Sequence, residues 1–410
     1  MIADLRINLE RLLEDIEQLA QFGAGPDGGV TRFTLDAAYL QAREWLTQRM
    51  VDCGLSCRID GAGNLIGRHG GGGPAVMVGS HIDTGPSGGR FDGAYGVLAG
   101  LECFRVLSEG GAMINRPFEL CCFLDEHGRF LDCLGSKAMT GQLKEYEVEH
   151  AQSPENVSVS DAFVAASLDP SAIFEARREA EDICVYLELH VEQGPVLDAA
   201  HVPIGAVDQI ASILRRDFIF EGVRNHAGQT PLNSRRDALR GACDLVTESF
   251  HRAERIDDGR LRLNYGLIDC QPGATSTIPG RVRIRQEIRD PDANRLHALA
   301  DATDQIARLS ASRYGLELDI LTVGEIAGAT LSSSINERII RACGELGLQH
   351  IVMASGTGHD SQVLAQYVKT GLILVPSREG RSHCPEEDTS VGDLEAGANV
   401  LLRVLEDVLH

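Results

Sequence analysis

Several histidines and carboxylates stand where apolar runs end. Residues 75–78, Ala-Val-Met-Val, lead straight into Gly79-Ser80-His81-Ile82-Asp83-Thr84, and Asp92-Gly93 begins nine residues after Asp83. The apolar run 118–124 ends in Asp125-Glu126, the run 183–189 ends in His190, and the run 372–375 leads to His383. Neutral imidazole and carboxylate suit zinc, and also manganese or cobalt. A dinuclear hydrolytic centre needs several such donors, commonly with one carboxylate bridging two cations about 3.5–4 Å apart. The chain offers His81, Asp92, Glu126, His190 and His383 for that role, and Asp83 is placed to orient the His81 ring. A lone histidine of this kind is more often structural than a ligand. Four buried strands that each end in imidazole or acid point instead to one site, assembled from distant stretches, for two divalent cations per subunit (Zn²⁺, or Mn²⁺/Co²⁺).

The elements that must position these residues can be read from periodicity. Leu5, Leu9, Leu12, Leu13, Ile16 and Leu19 predict an amphipathic first helix, and residues 36–53 a second, stopped at Gly54. Short strands are expected at 56–59 and 64–68, a helix at 94–107, and strands at 118–124 and 185–190. Residues 141–181 are acidic and weakly periodic, and are expected to be loop and short helix. The rhythm then changes. Strand 213–221, helix 234–255, strands 261–270 and 280–289, helix 292–314 and strand 316–323 give the order βαββαβ, that of a ferredoxin-like unit. Helix 335–346, strands 350–354 and 372–375, and helix 391–409 return to the first rhythm. The fold class expected is therefore α/β with two domains. Residues 1–208 and 324–410 form a metal-binding catalytic domain, and residues 209–323 an inserted α+β domain. Ligands bind beyond the carboxyl ends of strands in such sheets, which is where the imidazoles and acids fall.

The chain has 410 residues, too many for one ordinary core. Its net charge of -22 argues against nucleic acid or an anionic membrane as a main partner. Eleven cysteines without regular spacing fit a reducing cytoplasm better than a disulfide framework. Residues 1–20 lack the basic start and apolar block of a signal peptide, and no apolar run is long enough to span a membrane.

Five stretches carry a resemblance. They are Gly79 to Thr84; Phe91-Asp92-Gly93-Ala94-Tyr95-Gly96-Val97; Glu188-Leu189-His190-Val191-Glu192-Gln193-Gly194-Pro195-Val196-Leu197; Asn225-His226-Ala227-Gly228; and Ser382-His383-Cys384-Pro385. In this order they resemble the hydantoinase/carbamoylase branch of the dinuclear aminoacylase/carboxypeptidase clan. That branch contains N-carbamoyl-L-amino acid hydrolases, allantoate amidohydrolases and β-ureidopropionases. The resemblance implies that Asp92 bridges two metals, that His81, Glu126, His190 and His383 bind one or the other, and that the residue before Glu126 is the general base. It also implies that His226, from the inserted lid and dimerisation domain of a partner subunit, stabilises the oxyanion, which requires a homodimer.

The chain departs from the family pattern in places. Paired glutamates and Gly-x-Arg-Phe are replaced by Asp125-Glu126-His127-Gly128-Arg129-Phe130. Asp125 thus takes the base position with a side chain about 1.5 Å shorter, and His127 stands where the family has Gly. His127, like His69, His150, His201, His251, His297, His350 and His410, is expected to be structural or exposed. Arg289 aligns with a carboxylate-binding arginine, Gln193 with a substrate-contacting glutamine, and Ser276 stands where the family has Asn. Gly358, in Gly356-Thr357-Gly358-His359-Asp360, resembles part of a loop that closes near substrate. The reading favoured is hydrolysis of the carbamoyl group of an N-carbamoyl-L-amino acid to amino acid, CO2 and ammonia. The alternatives are allantoate or β-ureido acid hydrolysis, and a metal-retaining binding protein with impaired catalysis.

Overall fold

The computed structural model describes residues 5–112 and 114–410. The N-terminal reading therefore applies from Leu5 onward, and residues 1–4 lie outside the described residues. The chain divides into two compact units. One comprises Met1–Asp208, Thr330–Met353 and Thr357–His410, and the other Gln209–Ala329 with Ala354–Gly356.

The first unit is built on a mixed sheet. Its centre is four parallel strands in the order Phe118–Phe123, Ala75–His81, Ile183–Val191, Thr370–Val375. Every residue of Ala75–His81, Phe118–Phe123 and Thr370–Val375 is buried. That is why these strands read as largely apolar runs: parallel strands are covered on both faces. Leu65–His69 and Ser56–Ile59 extend one side antiparallel. On the other side Ile204–Ile210 runs antiparallel to Thr370–Val375, pairing Ala206 with Ile373. Periodicity did not announce this strand, because Gly205, Asp208 and Gln209 dilute its apolar pattern.

Helices cover the sheet. Ala94–Glu109 is buried from Ala94 to Leu107. It is tied to Val391–Leu409 by the Tyr95 hydroxyl, which donates to the Leu394 carbonyl at 2.6 Å. Each fully buried Leu or Phe of this core contributes roughly 1.5–3 kcal/mol. Helix starts follow capping chemistry. Asn8, Asp36 and Ser390 accept backbone N–H bonds at the N-termini of Leu9–Ala20, Ala37–Asp52 and Val391–Leu409. The acidic stretch 141–181 folds into short pieces, including helices Glu145–His150 and Val159–Ala165.

The second unit has the order Ser212–Glu221, helix Ala238–Glu254, Arg262–Gln271, Arg281–Asp290, helix Ala293–Tyr314, Glu317–Ile326. These four long strands form an antiparallel sheet in the order Glu317–Ile326, Ser212–Glu221, Arg281–Asp290, Arg262–Gln271. Residues of Arg281–Asp290 alternate strictly. Val282 and Ile284 enter a core with Phe218, Phe220, Leu245 and Ala307. Arg283 and Arg285 lie between them in sequence and pair with Asp217 at 2.8 and 2.7 Å. The first helix begins at Ala238 rather than at 234 because Leu232–Ser234 forms a 3-10 turn and Asp237 caps the helix through the Leu239 N–H.

Candidate metal centre

The parallel strands deliver their side chains to one place in the first unit. His81 is the last residue of its strand, and His190 the penultimate residue of the neighbouring one. The strand Phe118–Phe123 runs into the loop that carries Glu126 and His127, and His383 arrives on the loop after Thr370–Val375. Asp92 comes from the loop before helix Ala94–Glu109 and sits between them. One of its oxygens, Oδ1, lies 3.2 Å from His190 Nε2 and 3.7 Å from His81 Nε2. The other, Oδ2, lies 3.1 Å from His383 Nε2 and 3.3 Å from His127 Nε2. Each carboxylate oxygen therefore faces its own pair of imidazole nitrogens. Glu126 Oε2 lies 3.5 Å from His81 Nε2.

Local structure fixes these groups. The His190 Nδ1 atom lies 2.8 Å from the Val191 carbonyl and His81 Nδ1 lies 3.1 Å from the Asp83 carbonyl. Donation to a carbonyl from Nδ1 leaves Nε2 with its lone pair, the tautomer a metal ligand needs. The Asp83 carboxylate is 3.6 Å from His81 Nδ1, so the main-chain oxygen is the nearer orienting group. Asp83 Oδ2 instead accepts the His127 N–H at 3.1 Å. Gly93 has φ of 64°, and a Cβ there would lie 2.3 Å from His81 Nε2. Only glycine lets the Asp92 loop approach the ring so closely.

Glu387, which periodicity gave no reason to single out, braces the site. Its buried carboxylate accepts the N–H groups of Phe91 and Asp92 at 2.9 and 3.1 Å, and the Ser382 hydroxyl at 3.1 Å. One side chain thus ties the Asp92 loop to the His383 loop. Gln193, with φ of 58°, donates from Nε2 to Asp92 Oδ2 at 3.0 Å and lies 3.0 Å from His383 Nε2.

Charge follows geometry. Burial alone would raise the Asp92 carboxyl, but the imidazoles of His127, His190 and His383 around it outweigh burial and hold Asp92 well below the ordinary range. Burial lowers His81 to about 4, keeping its ring neutral. Burial raises Glu126 to about 8. A cation would fit this set. The Nε2 atoms of His81 and His127 are buried without a hydrogen-bond partner, and each belongs to a group of closely spaced nitrogen and oxygen donors. Those donors are of the kind zinc, cobalt and manganese accept.

The structure moves two expectations. Asp125 is not placed as a general base. It is fully buried, has φ of 61°, and its oxygens accept the N–H groups of Arg129, Phe130 and Leu131 at 2.8, 3.0 and 2.9 Å. Aspartate suits this position because its short side chain bonds locally and tolerates the left-handed region. His127, expected to be structural or exposed, lies inside the cluster instead. Its adjacency to Glu126 directly after a buried strand was the available signal.

The remaining candidates lie elsewhere. In the second unit His226 is exposed, and its Nδ1 accepts the N–H groups of Gly228 and Gln229 at 3.1 and 3.2 Å. Its Nε2 is therefore the protonated nitrogen. Ser276 is exposed, its carbonyl accepting the Ala227 N–H at 2.8 Å. Arg289 pairs with Glu287 at 2.8 Å and donates to the Gly356 carbonyl at 3.0 Å. In the first unit Gly358 precedes the buried His359, whose ring lies 4.6 Å from that of His190.

Comparison with known proteins gives the family of the chain. The profile of peptidase family M20/M25/M40 matches residues 77–407. An N-carbamoyl-L-amino-acid amidohydrolase of Paenarthrobacter aurescens is 36% identical over 403 residues, 97% of each chain. An allantoate amidohydrolase of Bacillus subtilis is 33% identical, covering 96% of this chain and 95% of that one. The crystal structure of a hydantoinase/carbamoylase family amidase from Burkholderia phymatum superposes with a TM-score of 0.91 at 33% identity, covering 99% of this chain and 98% of that one. With the match spanning the cluster of histidines and carboxylates and the relatives covering nearly the whole chain, the protein belongs to peptidase family M20/M25/M40, in its hydantoinase/carbamoylase branch.

Proposed function

We propose that the protein is a metal-dependent amidohydrolase that removes the carbamoyl group of an N-carbamoyl-L-amino acid. The observation that carries this reading is Asp92, each of whose oxygens faces two imidazole nitrogens in a buried cradle. His81 and His190 would hold one divalent cation with Oδ1, and His383 would serve a second with Oδ2. Bound there, the cations supply a water of lowered pKa and polarise the scissile carbonyl. The chain's own residues do the rest. A carboxylate takes the proton as the water oxygen bonds to the carbamoyl carbon, and passes it to the departing nitrogen as the C–N bond breaks. Ammonia leaves, and the resulting carbamic acid loses CO2 to give the amino acid.

His226 of the partner subunit would donate to the oxyanion in a homodimer. What supports this role is its tautomer: with Nδ1 accepting two backbone N–H bonds, Nε2–H is an exposed donor. Arg289 would bind the substrate carboxylate and Gln193 the ureide, and Ser276 and Gly358 are further candidate substrate contacts. The substrate class is supported by the relative from Paenarthrobacter aurescens. Eleven free thiols support a cytoplasmic setting. Among the described residues, no helix is long and apolar enough to cross a membrane.

Ammonia release from N-carbamoyl-L-methionine, allantoate and 3-ureidopropionate, measured in parallel with Zn²⁺, Mn²⁺ or Co²⁺ added, tests the reading. Turnover of the carbamoyl amino acid above the other two is expected. Preference for allantoate would replace the substrate, and cation binding without ammonia release from any ureide would leave a binding protein.

A further inference from the structure

We propose that His127, and not Glu126, is the protein ligand that completes the Asp92 Oδ2 side of the centre, and that Glu126 is the carboxylate that takes the proton of the attacking water. The assignment rests on the reading of the site as a cation-dependent hydrolase and deepens it. Three observations carry it. The first is distance. His127 Nε2 lies 3.3 Å from Asp92 Oδ2, and its ring centroid is 4.9 Å from that of His383. Asp92, His127 and His383 form one group of closely spaced donors, whereas the group that contains Glu126 contains His81 and His127.

The second is the loop. With Asp125 accepting three N–H groups ahead of it, and Asp83 accepting the His127 N–H, the backbone of residues 125–131 is pinned from both sides. His127 Nε2 is buried there with no hydrogen-bond partner. The third is the donor count. His81, His190 and Oδ1 make one set of three, and His127, His383 and Oδ2 make another. Three protein ligands with a further position open is the arrangement of catalytic zinc sites. Glu126 is surplus to both sets, 3.5 Å from His81 Nε2. It would stand beside the cations, and since Asp125, its neighbour, is already engaged, Glu126 is the carboxylate placed to accept a proton. Imidazole in place of carboxylate also removes one negative charge from the centre and favours zinc over manganese.

Cation content and turnover of the full-length chain test this together. After loading with Zn²⁺ and removal of excess, elemental analysis should find two equivalents in the wild type, two in Glu126→Gln and one in His127→Ala. Turnover in Glu126→Gln should fall about 10²–10⁴-fold while its cations remain. The Co²⁺-loaded His127→Glu variant should keep two equivalents and change its visible absorption bands, a readout that stands even if His127→Ala does not fold. Loss of a cation in Glu126→Gln, two cations in His127→Ala, or an unchanged cobalt spectrum in His127→Glu would overturn the assignment alone. A wild type that takes up no cation would overturn the proposed function and this assignment with it.

Discussion

The two units hold their chemistry-bearing side chains in opposite ways. In the first, His81, Asp92 and His190 are almost wholly buried, and each is set by a strand end or a braced loop. In the second, His226 and Ser276 are exposed, and Arg289 is half-buried against Glu287. Buried donors that converge on one carboxylate suit a fixed cation. Exposed donors with one free hydrogen suit a ligand that comes and goes. On the proposed reading the first unit would hold the cations, and the second would supply donors to the oxyanion and the substrate.

Removing Asp92 should separate the two most sharply. Asp92→Ala is expected to abolish cation uptake on both sides and bring ammonia release to background, as a chelator should in the wild type. Elemental analysis beside the activity assay checks it, and a variant still holding cations would break the comparison. His226→Ala comes next. It should cost about 10²–10³-fold in kcat with cation content unchanged. Mixing it with Asp92→Ala should restore part of the activity if the donor crosses between subunits, and no restoration would place His226 in its own chain's reaction. Asp83→Ala should weaken cation affinity by about 10–100-fold, measured by competition with a chromophoric chelator. The smallest effect on turnover is expected for Asp125→Ala. It strips three loop N–H groups of their acceptor and should lower stability by about 1–3 kcal/mol, read in a denaturant melt, while Asp125→Asn keeps most turnover. If Asp125→Asn were as slow as Glu126→Gln, the division of labour between these neighbours would fail.

The α/β architecture was legible because buried parallel strands carry their burial in the sequence as apolar runs. Ala75–His81, Phe118–Phe123 and Thr370–Val375 could be placed within three residues, and the βαββαβ order of the second unit followed from its alternating strands and long helices. That His81, Asp92, Glu126, His190 and His383 meet was also readable, since strand ends in such sheets converge. What was not legible lies in loops. Nothing local says that residue 125 has positive φ and turns its carboxylate toward the N–H groups of 129–131, so the acid beside Glu126 was given a chemical role that its backbone denies it. The strand Ile204–Ile210 was hidden by polar residues, and Glu387 by the long sequence separation of its partners.

That separation has a consequence for how the protein is made. The Glu387 carboxylate reaches back 295 positions to the Asp92 N–H, and the loop it steadies carries His383. The two halves of the cradle therefore cannot be joined until residue 387 has been synthesised. A nascent or truncated chain would hold His81, Asp92 and His190 without the brace that sets them against His383. The proposed capture of a cation on the Oδ2 side would then follow the closure of this brace rather than precede it.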